Sequence, residues 1–121
     1  MATSSTEDTT ATVARHIQAV LSRDIEAMLR NFTEESVVFT PEGVQRGFAA
    51  IRGDAQTFFA TTPPELLGAF QVVRQEAEGE VAYLLWKAEP FVALAAETFV
   101  VRGGKIMAQT FAMLGTETPA A

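Results

Sequence analysis

The sequence predicts a single α+β domain, with helices first and a mostly antiparallel sheet after them. Apolar residues recur at helical spacing through the first half of the chain. The second half instead consists of long runs rich in β-branched and aromatic residues, broken by short turns. The chain has 121 residues, of which 48% are hydrophobic and 20% charged, as is typical of one folded domain. Because helices and strands that are segregated along a chain pack as layers, the expected fold class is α+β.

Three helices are predicted in the first half. The first spans residues 7–22, and the second is a short helix that begins after Asp24, a residue typical of helix N-caps. The third spans residues 48–60 and ends at the two prolines that follow. Residues 1–6 and 116–121 are expected to be loose termini. The apolar stripes of the three helices are, in order, Val13, Ile17, Val20 and Leu21; Ile25, Met28, Leu29 and Phe32; and Ile51, Ala55, Phe58 and Phe59.

Six strands are predicted from β-branched and aromatic runs that are bounded by turn residues. A turn at residues 34–36 precedes the first of them, and Gly103-Gly104 is a hairpin turn between the last two. The predicted strands span residues 37–40, 44–46, 66–77, 81–89, 91–102 and 105–115.

The last strand is apolar on both of its faces, since one row ends in Ala112 and Leu114 and the other in Phe111 and Met113. A small antiparallel sheet with one face in water should alternate between apolar and polar residues. The chain has no further element to cover a second apolar face, so we predict a homodimer through the outer face of the sheet. The alternative is that loops and strand ends cover both rows.

Composition excludes several classes of function. The formal net charge is -6 and the nine basic residues are scattered, so neither nucleic acid nor an anionic membrane is expected as a partner. The chain has no cysteine and one histidine, which excludes disulfides, thiolate chemistry and a multi-histidine zinc centre. No metal or other cofactor is implied. Without a signal-like N-terminus or a membrane-length apolar run, a cytoplasmic location is expected.

Four segments, read in order, carry a family resemblance. They are residues 13–32 (VARHIQAVLSRDIEAMLRNF), 35–41 (ESVVFTP), 47–52 (GFAAIR) and 97–106 (ETFVVRGGKI). The chain is similar to the SnoaL-like and ketosteroid isomerase-like branch of the nuclear transport factor 2-like superfamily. The resemblance implies a strongly curved sheet wrapped on three helices, a cone with an internal pocket, and a dimer. It does not imply one activity, because this fold hosts isomerases, dehydratases, cyclases, epoxide hydrolases and non-catalytic binders.

The resemblance to ketosteroid isomerase also places three pocket residues. In such an enzyme a strand carboxylate is the base, while a helix tyrosine and a protonated aspartate hold the developing oxyanion. The tyrosine position matches His16, the aspartate matches Glu97, and the base matches Thr40. Because a threonine hydroxyl has too high a pKa to remove a proton from carbon, steroid isomerisation by the usual route is not expected.

His16 and Glu97 are therefore the candidate catalytic residues. His16 lies at the edge of the first apolar stripe, and it is the only side chain whose ordinary pKa lies near neutrality. Glu97 lies in an otherwise apolar strand row, where burial would raise its pKa unless a partner holds its charge. The two can form an acid/base dyad. The alternatives are a core histidine with one hydrogen bond and a solvated glutamate on the other face of the sheet.

Further residues are candidates for the pocket wall. Trp86 is expected to face inward because the opposite row of its strand contains Lys87, and its buried N–H then needs an acceptor. Asp54 lies near the buried side of the third helix, where its carboxylate can reach the pocket. The alternative is a solvated charge on the helix surface. Each aromatic or methionine wall residue is alternatively plain core. The other candidate ligand-binding residues are Thr40, Gln109, Phe111, Met113, Phe39 and Phe58.

Two functional hypotheses follow. One is a cofactor-independent isomerase-, dehydratase- or cyclase-type enzyme that transfers a proton on a small, largely apolar carbonyl or hydroxyl compound. The other is a non-catalytic ligand-binding protein or dimeric scaffold, which the absence of a carboxylate at Thr40 favours.

Overall fold

The computed structural model describes residues 4–115 and confirms the α+β class. The predicted loose termini fall mainly on residues 1–3 and 116–121, which lie outside the described residues. Thr6, expected in the loose arm, already belongs to the first helix. The elements are α1 (Thr6–Leu21), α2 (Ile25–Leu29), β1 (Phe32–Thr40), β2 (Gly43–Arg46), α3 (Gly47–Thr61), α4 (Pro64–Gly68), β3 (Gln71–Glu78), β4 (Val81–Ala88), β5 (Val92–Arg102) and β6 (Lys105–Gly115).

The six strands form one curled sheet in the order β2-β1-β6-β5-β4-β3. Every neighbouring pair is antiparallel except β1 and β6, which run parallel. The helix α1 packs on β3 to β6 and α3 packs on β1 and β2, so both helices lie within the curl. The core forms where these helices meet the inner face, and its most buried side chains include Val13, Leu84 and Phe99. In the described part of the chain, no helix has both the length and the apolarity to cross a membrane.

The structure corrects the predicted start of the first strand. Residues 34–36 were expected to form a turn, but β1 runs through them from Phe32, with an irregular register against β6. Ser36 makes this possible, because its buried hydroxyl accepts the Thr33 amide at 2.8 Å and donates to the Ile106 carbonyl at 2.6 Å. The hydroxyl thus satisfies backbone groups that the irregular ladder leaves unpaired.

The structure also contains a fourth helix where a strand was predicted. The prediction began a strand at residue 66, whereas α4 occupies Pro64–Gly68 and β3 begins at Gln71. Proline at the first helical position suits a helix start. Leu66 and Leu67 are both buried, so tertiary packing holds this single turn of helix against β4.

Candidate functional site

A cavity of about 110 Å³ lies between the helices and the inner face of the sheet. Helix α1 contributes His16 and Val20 to its wall, and α3 contributes Asp54 and Phe58. The sheet supplies the remaining polar groups, and the apolar wall includes Phe111. The polar lining residues are His16, Thr40, Gln45, Asp54, Glu97 and Gln109.

Glu97 is a buried carboxyl group held by two neutral donors. The Trp86 indole Nε1–H donates to Glu97 Oε2 at 2.7 Å, and the Gln109 amide Nε2–H donates to Glu97 Oε1 at 2.7 Å. The sheet register brings these side chains together on the inner face. Glu97 pairs with Leu84 on β4 and with Phe111 on β6. Trp86 and Gln109 each lie two residues from those partners, so they share the face of Glu97. Burial raises the pKa of Glu97 to about 7, although both N–H donors act in the opposite direction.

His16 is also buried in the cavity wall, where it contacts two aromatic rings edge-on. Its ring centroid lies 5.7 Å from that of Phe32 and 5.5 Å from that of Phe99. Its Nδ1 atom is buried and has no hydrogen-bond partner in the described residues. Burial lowers the pKa of His16 to about 4, so the imidazole is neutral at pH 7.

No hydrogen bond joins His16 to Glu97, so the acid/base dyad of these two residues stays a prediction. Both residues line the same cavity, but the Glu97 oxygens accept from Trp86 and Gln109, and His16 Nδ1 has no hydrogen-bond partner within residues 4–115. No sequence pattern distinguishes tryptophan and glutamine from histidine as partners of the carboxyl group. The pairing depends on the register of β4, β5 and β6, which places the indole and the amide on either side of the carboxyl group.

Trp86 faces inward, as predicted from the position of Lys87, and its indole also packs on Phe70 with ring centroids 5.1 Å apart. Gln109, Phe111 and Phe58 line the cavity as expected. Asp54 lines it as well, and burial together with the charge of Glu42 raises the pKa of the Asp54 carboxyl group. Gln45 on β2 is a lining residue that the sequence reasoning missed. The four-residue β2 offers too short a pattern to show which of its side chains point inward.

The other three predicted wall residues differ in their relation to the cavity. Phe39 is not part of the cavity: its side chain is 47% exposed and lines a shallow groove on the outer face of the sheet. Successive residues of a strand point to opposite faces of the sheet. Because Val38 points into the cavity, its neighbour Phe39 points outward. Met113 shares the inner row of Gln109 but lies beyond the cavity lining, with its side chain 41% exposed. Thr40 lines the cavity, while its hydroxyl donates to the Gly43 carbonyl at 3.0 Å.

The cavity lining contains no lysine or arginine. Its ionisable groups are Asp54 and Glu97, together with the neutral His16. Among residues 4–115, no group of three or more histidine, aspartate or glutamate side chains is arranged to hold a metal ion.

A curled sheet wrapped on α1 and α3, with a cavity between them, is the arrangement of an α+β cone fold. The chain belongs to the SnoaL-like domain family, whose model matches residues 13–109. This confirms the resemblance to the nuclear transport factor 2-like superfamily that the sequence motifs indicated. No curated protein matches the chain.

Three solved structures illustrate the similarity. A SnoaL-like protein of unknown function from Burkholderia thailandensis is 15% identical, with 93% of this chain and 99% of that chain covered and a TM-score of 0.75. A candidate ketosteroid isomerase from Kribbella flavida is 17% identical, with 96% and 84% covered and a TM-score of 0.71. A candidate polyketide cyclase from Sinorhizobium meliloti is 16% identical, with 84% and 94% covered and a TM-score of 0.70. At these identities the likeness shows the fold alone.

Proposed function

We propose that this protein binds a small, uncharged, largely apolar carbonyl or hydroxyl compound and transfers a proton on it, as an isomerase-, dehydratase- or cyclase-type enzyme. The observation that carries the proposal is the buried Glu97 carboxyl group, whose two oxygens are held by Trp86 and Gln109 at the wall of an apolar cavity. The candidate isomerase and cyclase among the similar structures support an enzyme by analogy.

The charge of the cavity favours an uncharged ligand. A carboxylate or phosphate ligand would leave water for a site that offers no lysine or arginine and contains two carboxyl groups, Asp54 and Glu97. Burying an anion without a paired cation is costly. A carbonyl or hydroxyl oxygen avoids this cost, because it needs only a hydrogen-bond donor or acceptor.

Glu97 is suited to exchange a proton with such a ligand. A group with a pKa of about 7 is present in both protonation states near neutral pH, which is the condition under which a general acid or base is most effective. As a carboxylate, Glu97 can take a proton from carbon next to a ligand carbonyl; in its protonated form, it can return that proton to another atom of the same ligand. Trp86 and Gln109 hold the carboxyl group in place throughout. We assign His16 the role of a neutral hydrogen-bonding group, since its pKa of about 4 makes it a weak base.

Exchange of carbon-bound protons tests this function. Cyclohexanone in D₂O is followed by proton NMR, where removal of an α-proton appears as loss of signal. We expect the wild-type protein to accelerate this exchange and Glu97→Gln to lose the acceleration by about a hundredfold or more, within the range for general acid–base groups. The exposed Glu35→Gln is the matched control. Equal rates in wild type and Glu97→Gln would reject Glu97 as the proton carrier.

The second candidate function is ligand binding without catalysis. Thr40 favours it, because the position at which the isomerase-like branch has its base contains a hydroxyl that is bonded to the Gly43 carbonyl. The same NMR sample separates the two functions. Saturation transfer from protein to cyclohexanone, without exchange of its α-protons, would support the binder and reject the enzyme.

We also propose that the protein is a homodimer through the outer face of the sheet. Apolar side chains on this face remain exposed, among them Val44, Phe39 and Leu114. Phe39 also lines an uncharged groove formed across β1, β5 and β6, which includes Thr98 and Thr110. A second copy presents the same uncharged groove and apolar side chains, so a two-fold contact would cover both.

A further inference from the structure

A second void lies directly behind the cavity. Its volume is about 40 Å³, and it is bounded by α1, α4 and the inner face of the sheet. Five residues line both spaces, so they form the boundary between them; these are His16, Val20, Phe58, Trp86 and Glu97. The residues that line the void alone are all apolar, namely Ile17, Leu21, Leu67, Phe70 and Leu84.

Phe58 is the part of this boundary best able to move. Trp86 is held by its hydrogen bond to Glu97 and by packing on Phe70, and His16 is wedged against two aromatic rings. Phe58 is only half-buried, has no polar atom to satisfy, and packs edge-on against Phe59 with ring centroids 5.5 Å apart. A rotation of its ring therefore breaks no hydrogen bond.

We infer that the cavity and the void are two compartments of one binding site, divided by Phe58, and that the void receives a short hydrocarbon branch of the ligand. The polar groups that line the void belong to His16, Trp86 and Glu97, and all three lie at the shared boundary. The ligand accordingly has its hydrogen-bonding group near Glu97 and an alkyl segment beyond it. This inference rests on the proposed function and narrows the ligand class to carbonyl or hydroxyl compounds with an unbranched chain of a few carbons on one side.

The chemistry of the void supports a hydrocarbon occupant. A void of this volume has room for water, but a water molecule needs two to four polar partners. The five residues that line the void alone supply none, and at the boundary the Trp86 N–H and the Glu97 oxygens already form hydrogen bonds within the protein. A methylene group needs none and gains about fourfold in affinity for each one removed from water into apolar surroundings. Alkyl chains, rather than polar extensions, should therefore gain affinity in this compartment.

A series of 2-ketones provides the test, with 2-butanone, 2-pentanone, 2-hexanone and 2-heptanone titrated into the full chain by ligand-observed NMR. In the wild type we expect the dissociation constant to fall by about fourfold for each added methylene until the void is full. Leu67→Phe fills the void from α4, and it should leave 2-butanone binding unchanged while abolishing the gain for the longer ketones. Ile17→Phe fills it from α1 and should give the same result.

Phe58→Ala tests the divider, and the exposed Thr57→Ala on the same helix is its matched control. Phe58→Ala should raise the association rate of 2-heptanone but not that of 2-butanone, whereas Thr57→Ala should change neither. Equal loss of short and long ketones in both filling variants would overturn the two-compartment site and leave the proposed function standing. If no ketone binds the wild type, both proposals fail.

Discussion

Two buried ionisable side chains of the cavity oppose each other in their effect on stability. The folded-state pKa of Glu97 is raised from 4.5 to about 7. The contribution of Glu97 to the free energy of unfolding is therefore fully present below pH 4.5 and is lost as the pH rises towards 7. The folded-state pKa of His16 is lowered from 6.5 to about 4. Its contribution is present above pH 6.5 and is lost as the pH falls towards 4. Between about pH 4.5 and 6.5 the two slopes have opposite signs and similar size.

Single substitutions should separate these slopes. Relative to wild type, the free energy of unfolding of Glu97→Gln should increase with pH between 4.5 and 6.5, by up to about 1.4 kcal/mol per pH unit. His16→Gln should show the reverse trend over the same window. Urea unfolding of the three proteins at pH 4.5, 5.5 and 6.5 measures this. The other carboxyl groups, including Asp54, are common to all three and cancel in the differences. If the free energy of unfolding had the same pH dependence in all three proteins, the pKa values of Glu97 and His16 would not be shifted by burial.

The indole of Trp86 should control the pKa of the carboxyl group that it holds. Trp86→Phe keeps most of the ring but removes the N–H that donates to Glu97. Because a hydrogen bond to a charged group contributes roughly 1.5–3 kcal/mol, the pKa of Glu97 should rise by about one unit or more. Carboxyl ¹³C shifts of Glu97 through a pH titration give this pKa. Tyr83→Phe, on the outer side of the same strand, should leave it unchanged, and an equal shift in both variants would contradict the assignment.

Most of these side chains were recognisable from sequence, but their connections were not. Trp86 could be turned inward because Lys87, its neighbour in β4, belongs in water. Glu97 stood out as one carboxylate in an apolar row. That Trp86 and Gln109, rather than His16, hold this carboxyl group depends on the register between three strands. Phe39 was misplaced because a continuous β-branched and aromatic run does not show which alternate residues face inward.

Among the strands and helices, the long ones were predictable and the short or irregular ones were not. The hairpin glycines located β5 and β6 to within a residue. The Asp24 N-cap also matches the prediction, since its carboxylate accepts the Ala27 amide at 3.0 Å. In contrast, the first half of β1 contains glutamates and a serine that locally favour a turn. The hydrogen bond from the Ser36 hydroxyl to the Ile106 carbonyl of β6 overrides that preference, and no local pattern contains this long-range contact.

Ser36 should therefore be an important residue for the stability of β1. Ser36→Ala removes the hydroxyl that accepts from the Thr33 amide and donates to the Ile106 carbonyl, both in a buried position. The free energy of unfolding should fall by about 1–3 kcal/mol, because two backbone groups lose a partner. Urea denaturation measures the change. The neighbouring exposed Glu35→Ala should stay within about 0.5 kcal/mol of wild type, and a similarly small loss for Ser36→Ala would show that β1 does not depend on the hydroxyl.

The domain as a unit should assemble through the outer face of its sheet. Leu114, 67% exposed on that face, would lie in an apolar contact between two copies. Leu114→Glu buries a carboxylate there, so the dissociation constant of the dimer should rise by about a hundredfold or more. Sedimentation velocity should find wild type at twice the 13.1 kDa of one chain and the variant at the mass of one chain. Val72, 43% exposed on the inner row of β3, supplies the control, since Val72→Glu should remain dimeric. A wild-type protein that sediments as a monomer would reject the interface.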